Sequence, residues 1–235
     1  MTDAVQTSWV SIDGQGGTFD AYLALPPRGS GPGLLLLQEI FGVNEHIRAV
    51  ARQYALDGFV VLAPDVFWQQ SRRVELGYVG DDWQRAMALV NGADRAALLR
   101  DLKDSVTALQ ARPEVAGRKT GVFGYCMGGR LAFQAAAHTG VDAAVAYYGG
   151  GIQQQLDLVP AIACPIQLHY GELDANIPLE AVAQVRAALS GKRADVHVYP
   201  GAHHGFNCWA RASYDPGSAA LAHGRTLEFL ATQLF

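Results

Sequence analysis

Gly124-Tyr125-Cys126-Met127-Gly128-Gly129-Arg130 follows the apolar triplet Gly121-Val122-Phe123 and leads into Leu131-Ala132-Phe133. A thiol set between small residues at a strand-to-helix turn can act as a nucleophile. The turn is sharp, so its flanking positions must be nearly bare, while the side chain is lifted to the carboxyl edge of a sheet. At the start of the helix, unpaired N–H groups and the helix dipole favour negative charge, both on a thiolate and on the oxyanion of a tetrahedral intermediate. The Met127 amide is the expected oxyanion donor. Free cysteines are also among the most buried residues, and closely spaced glycines also serve helix–strand packing. The case for a nucleophile therefore depends on partner groups further along the chain.

Two loops lie at the positions such chemistry needs. In acyl-transfer enzymes built on this elbow, an acid and then a histidine come after the nucleophile, each beyond a later strand. Ile166-Gln167-Leu168-His169-Tyr170 is followed by Gly171-Glu172-Leu173-Asp174, and Val196-His197-Val198-Tyr199 by Gly201-Ala202-His203-His204-Gly205-Phe206. Asp174 is the preferred acid, with a turn or capping role as its plainer reading and Glu172 as its rival. His203 and His204 would diverge in an extended loop, so one of the two is expected to reach Cys126; His204 is chosen. The remaining histidines, His46, His138, His169, His197 and His223, read as packing or surface residues. A histidine pair without further ligands does not make a metal site.

At the level of the whole chain, 235 residues, half of them apolar, suffice for one sizeable core, and a single domain over 1–235 is expected. A net charge of -4 gives no basic field for nucleic acid or an anionic membrane surface. A small-molecule substrate suits it better. The start MTDAVQTSWVSIDG carries no cationic segment followed by an apolar one, and no apolar run reaches the roughly 18 residues of a membrane span; a cytoplasmic enzyme is expected. Cys126, Cys164 and Cys208 are too few and too scattered for a disulfide framework or a zinc site. Cys164, before Pro165, reads as a core residue, and Cys208 as a packing residue, with a redox or substrate-contact role as its alternative. No metal or cofactor is called for, and the oligomeric state is left open between a monomer and a small homo-oligomer.

The elements that would position these loops can be read from periodicity. Ser8–Ile12 and Phe19–Leu25 alternate around Gly14-Gln15-Gly16-Gly17 and predict an antiparallel hairpin. Apolar runs at Leu34–Leu37, Phe59–Ala63, Gly121–Gly124, Ala143–Tyr148 and Pro165–Tyr170 suit buried parallel strands, with the partly polar Val196–Tyr199 as a last member. Helices are predicted over 46–56, 93–111, 127–138, 179–189 and 218–234. In the second of these, Asp94, Leu98, Leu102, Val106 and Leu109 mark one stripe. Alternating strands and helices imply an α/β fold with a mainly parallel sheet covered on both faces. Residues 67–91 carry Trp68, Arg72, Arg73, Tyr78 and Trp83 without a clean period, and are either a cap over the site or a surface excursion.

With these residues in view, the chain resembles the dienelactone hydrolase family (carboxymethylenebutenolidases) nearly end to end. The resemblance is carried by Gln38-Glu39-Ile40-Phe41-Gly42-Val43-Asn44, Ala63-Pro64-Asp65, the Cys126 motif, Tyr147-Tyr148-Gly149, and the segments around Asp174 and His204. It implies an α/β-hydrolase fold, a Cys126-His204-Asp174 triad, and lactone or activated-ester hydrolysis through an acyl-enzyme. It also implies that Glu39 helps to ionise the thiol and that the Ile40 amide is the second oxyanion donor. Phe41 beside them is a candidate substrate contact. In the family, arginines bind the substrate carboxylate, and one of them lies where this chain has Cys208. Arg85 and Arg211, with Arg72 and Arg73 nearby, are the candidates to replace them. A general carboxylesterase or thioesterase on the same scaffold is the first alternative. A non-catalytic redox-sensing thiol protein is the second.

Overall fold

The computed structural model describes residues 4–235; Met1–Asp3, the first residues of the segment inspected for a leader, lie outside them. The chain divides into two compact units at Gly121/Val122.

In the first unit, β1 (Gln6–Gly14) and β2 (Gly17–Leu25) form the predicted antiparallel hairpin, closed by the Gly14–Gly17 pair. β2 continues antiparallel onto β4 (Val60–Pro64), and β3 (Gly33–Leu37) lies parallel to β4, giving the order β1-β2-β4-β3. Leu34, Leu35, Leu36 and Leu37 are all fully buried, which is why this strand reads as a continuous apolar run. Burial of each such side chain favours folding by roughly 1.5–3 kcal/mol. Helix α1 (Glu45–Leu56) starts where the Asn44 side chain accepts the Ile47 N–H, and buries Ile47, Val50, Ala51 and Tyr54, the spacing of one helical face.

Helices α2 (Gly80–Gly92) and α3 (Arg95–Gln110) complete this unit and correct two expectations. Asp94 is not part of the apolar stripe: it caps α3, its carboxylate accepting the N–H groups of Ala96 and Ala97. The aperiodic stretch 67–91 contains most of α2, which was not predicted. Before that helix the segment runs through turns that bury Phe67, Val74 and Leu76. Tyr78 and Trp83 pack against Phe41. Gly42, at φ +84°, makes this close packing possible, because a Cβ there would stand 1.8 Å from the Val74 carbonyl oxygen.

The second unit takes in most of β5 (Thr120–Tyr125), then β6 (Ala143–Tyr147), β7 (Ile166–Gly171) and β8 (Ala194–Tyr199), in that spatial order. β6, β7 and β8 are mutually parallel. Between and after them lie α4 (Met127–His138), α5 (Leu179–Ala188) and α6 (Pro216–Leu234). β6 and β7 are buried throughout, whereas the outer strand β8 is mostly half-buried, which explains its mixed composition. The two units together give the alternating α/β order read from the sequence. Among the described residues no helix is long and apolar enough to cross a membrane.

Candidate active site

Cys126 ends the strand-to-helix turn between β5 and α4 in a conformation that side chains rarely adopt, φ +56° and ψ −115°. The turn is held from below: the Cys126 N–H donates to the Tyr147 carbonyl at 3.0 Å, and the Arg130 N–H to the Cys126 carbonyl at 3.2 Å. Gly129 allows α4 to lie close to the end of β6, since a Cβ there would be 2.5 Å from the Tyr147 oxygen and 3.1 Å from the Gly149 Cα. Met127 is the first residue of α4, so its amide precedes the helical hydrogen-bond ladder and has no acceptor within it.

The loops after β7 and β8 bring two more groups to this point. His204 Nε2 lies 3.1 Å from Cys126 Sγ, and Nδ1 lies 2.7 Å from Asp174 Oδ2. Asp174 Oδ1 accepts the Asn176 N–H at 2.9 Å, so the turn role and the acid role fall on one carboxylate. Its rival, Glu172, points elsewhere: Oε2 accepts the Gly201 N–H at 2.8 Å. His203 is exposed and meets the Leu173 carbonyl through Nδ1 at 3.1 Å. Cys126, His204 and Asp174 are thus assembled within the second unit.

The environment favours a charged imidazole. Burial alone would lower the His204 pKa, but the hydrogen bond to Asp174, that to Cys126 and the charges of both outweigh it, and the ring is raised to about 10. Nδ1 faces a carboxylate oxygen and therefore donates to it. The ring is further held by Tyr148, whose ring lies edge-on to it at 5.1 Å and also packs against Phe206 at 5.5 Å. Tyr148 is fully buried and takes φ +36°. Nothing in the spacing of Tyr147-Tyr148-Gly149 signals a tyrosine in the left-handed region packed on the histidine.

His169 is a packing residue, as read, and it also anchors a buried polar network. It is fully buried; Nδ1 lies 2.7 Å from the Tyr199 hydroxyl, and Nε2 lies 2.9 Å from Gln167 Oε1 and 3.0 Å from Thr226 Oγ1. Burial, then the charges of His197 and Arg225, hold its pKa well below the ordinary value, so the ring is neutral. Gln167 Oε1 only accepts, which places the proton on Nε2 and makes Tyr199 the donor to Nδ1. Cys208 is fully buried, but Cys164, read as a core residue, is only partly buried; burial raises its thiol to about 11.

Glu39, Ile40 and Phe41 follow β3 in the first unit, and all three are buried. Arg85 is exposed on α2, with the Ser71 hydroxyl 3.4 Å away, and Arg72 and Arg73 are likewise exposed. Arg211 lies in the second unit, its guanidinium packed on Gly205, next to His204; a Cβ at Gly205 would be 2.6 Å from it. Among the described residues no group of three or more His, Cys, Asp or Glu side chains could hold a metal ion.

The profile of the dienelactone hydrolase family matches residues 19–234. The chain belongs to the dienelactone hydrolase family. It is 35% identical over 218 residues to carboxymethylenebutenolidase 1 of Cupriavidus pinatubonensis, covering 92% of each chain. It is 37% identical over 224 residues to a proposed carboxymethylenebutenolidase of Azospirillum brasilense, covering 94% of this chain and 96% of the other. A crystal structure of a proposed dienelactone hydrolase from Klebsiella pneumoniae superposes with a TM-score of 0.87 at 34% identity, over 97% of this chain and 99% of that one. The protein is accordingly a hydrolase with the α/β-hydrolase fold, as the family resemblance implies.

Proposed function

We propose that this member of the family hydrolyses a lactone or activated ester of the dienelactone type through a Cys126-His204-Asp174 triad and a covalent acyl-enzyme. The observation that carries the reading is the unbroken line from Asp174 Oδ2 through both ring nitrogens of His204 to Cys126 Sγ, with links of 2.7 and 3.1 Å. A protonated His204 next to the sulfur favours the thiolate, the nucleophilic form.

The thiolate attacks the ring carbonyl carbon, and the resulting oxyanion is held by the Met127 amide. The roles of Glu39, in ionising the thiol, and of the Ile40 amide, as second oxyanion donor, are carried over from the family resemblance as part of the same proposal. Collapse of the intermediate breaks the bond to the ring oxygen, which takes the proton of His204 as it leaves or, when it leaves as an enolate, directly afterwards. The imidazole, now neutral, removes a proton from water. The hydroxide attacks the thioester, the thiolate and imidazolium are restored, and the acid product leaves and gives its proton to solvent as the carboxylate. An enolate departs with little protonation. A plain alkoxide is harder to expel than the thiolate itself, so activated substrates are favoured over unactivated esters and amides. Arg211, held beside His204, is the candidate to bind a substrate carboxylate, because a guanidinium fork matches carboxylate geometry.

Wild-type and Cys126→Ala proteins assayed on a dienelactone and on p-nitrophenyl acetate test this reading. Cys126-dependent turnover with strong preference for the dienelactone supports it, and turnover of the neutral ester alone makes the protein a general esterase. Activity that survives the substitution would remove the thiol mechanism.

A further inference from the structure

Two polar residues of the catalytic loops, Glu172 and His203, have no part in the chemistry of the triad. Their positions are nonetheless regular. The loop after β7 and the loop after β8 are joined by two backbone bonds, Glu172 N–H to the Tyr199 carbonyl at 3.0 Å and Leu173 N–H to the Ala202 carbonyl at 2.9 Å. They approach closely enough that a Cβ at Gly171 would stand 2.4 Å from the Ala202 oxygen. Any residues could make those two bonds. The side chains add two more, one from each loop.

On one side, Tyr199-Pro200-Gly201-Ala202 forms a turn closed by the Ala202 N–H on the Tyr199 carbonyl, with Gly201 at φ +70°. Proline second and a left-handed glycine third are the marks of a type II turn, whose central amide lies outside its closing hydrogen bond. Glu172 accepts that Gly201 amide at 2.8 Å. On the other side, His203 Nδ1 lies 3.1 Å from the Leu173 carbonyl. A carbonyl only accepts, so Nδ1 carries the proton and donates it. Asp174 follows Leu173 directly, and His204 follows His203. Both side chains are exposed, and among the described residues Glu172 has no ion-pair partner. Neither fills the core, and the Glu172 carboxylate is given to the turn.

We propose that Glu172 and His203 are positioning residues: they clasp the Asp174 loop to the His204 loop and hold the Asp174–His204 hydrogen bond in register with Cys126. The proposal rests on the reading of those three residues as the catalytic set. Neither clasp residue touches the reacting atoms. Their effect comes through geometry, to which rates are steeply sensitive.

The test uses the full-length chain with Glu172→Ala, His203→Ala, the double variant and Glu172→Gln, whose amide oxygen can still accept the Gly201 N–H. Single exposed hydrogen bonds are modest, so each alanine variant should lower kcat about fivefold, and the double variant about twentyfold, with KM little changed. The second readout is the titration of His204 by NMR. A loosened Asp174 contact should lower its pKa by about a unit in the double variant, while Glu172→Gln restores both readouts to near wild type. Unchanged kcat and His204 titration in the double variant, with or without a lower Tm, overturn the proposal. If Cys126→Ala retains full activity, the catalytic reading fails instead, and the His204 titration alone still decides whether the clasp sets the contact.

Discussion

Replacing Asp174 by Asn removes the charge behind His204 while keeping the size of the side chain. His204 is raised to about 10 from the ordinary 6.5, a preference for the protonated ring of roughly 5 kcal/mol at 1.36 kcal/mol per pKa unit. That preference survives a burial penalty of opposite sign and is shared between Asp174 and Cys126. The Asp174 side chain is fully buried and its oxygen lies 2.7 Å from the ring, and its hydrogen bond is the largest of the interactions that raise the ring. Its loss should lower kcat about 100-fold, the size of a general acid–base contribution, and bring the His204 titration well below 10. The folded-state pKa of His204 lies above that of the unfolded chain. The pairing therefore contributes its full stability below about pH 6.5 and loses it as pH rises toward 10, so the stability gap between wild type and variant should narrow over that range. Turnover of p-nitrophenyl acetate, an NMR titration of the imidazole and thermal denaturation at several pH values measure these effects. A variant that keeps kcat within about threefold of wild type, with His204 still titrating near 10, refutes the assignment of Asp174 as the group that charges the ring.

The packing sets two further outcomes. Gly129→Ala places a methyl group against the backbone at Tyr147 and Gly149; overpacking of this kind costs about 1–3 kcal/mol, occasionally more, and a Tm indistinguishable from wild type would contradict the close approach of α4 to β6. His169→Leu strips partners from Tyr199, Gln167 and Thr226, and should lower stability by about 2–4 kcal/mol in denaturant titrations. The His169 pKa is depressed on folding, so its share of stability falls away as pH drops below about 6.5. The leucine variant should lack this acid-side loss of stability.

The grouping of Cys126, Asp174 and His204 was legible because the elbow constrains residue size: Gly124, Gly128 and Gly129 stand around a cysteine, with two loops after it in fixed order. The parallel strands were legible because β3, β6 and β7 are buried on both faces and must be apolar throughout. Helix α2 was not, since it buries only Ala86 and Leu89 and leaves Trp83 and Met87 substantially exposed, so no apolar period marks it. Asp94 was misread because a capping residue one turn before an apolar stripe shares the spacing of the stripe. The buried network of His169 has no sequence signature, for a polar residue on a strand reveals its partners only once β7, β8 and α6 are in place. The positive φ of Tyr148 was equally hidden; only the packed structure shows what holds a bulky residue there.

The proposed covalent intermediate on Cys126 can be trapped by rapid acid quenching during turnover of p-nitrophenyl acetate and read by mass spectrometry of the intact protein and its peptides. An acetyl group on the Cys126 peptide of the wild type, formed within the first turnover and absent from Cys126→Ala, is the predicted result. Steady turnover with no acyl group on that peptide at any quench time, together with an active alanine variant, would contradict it.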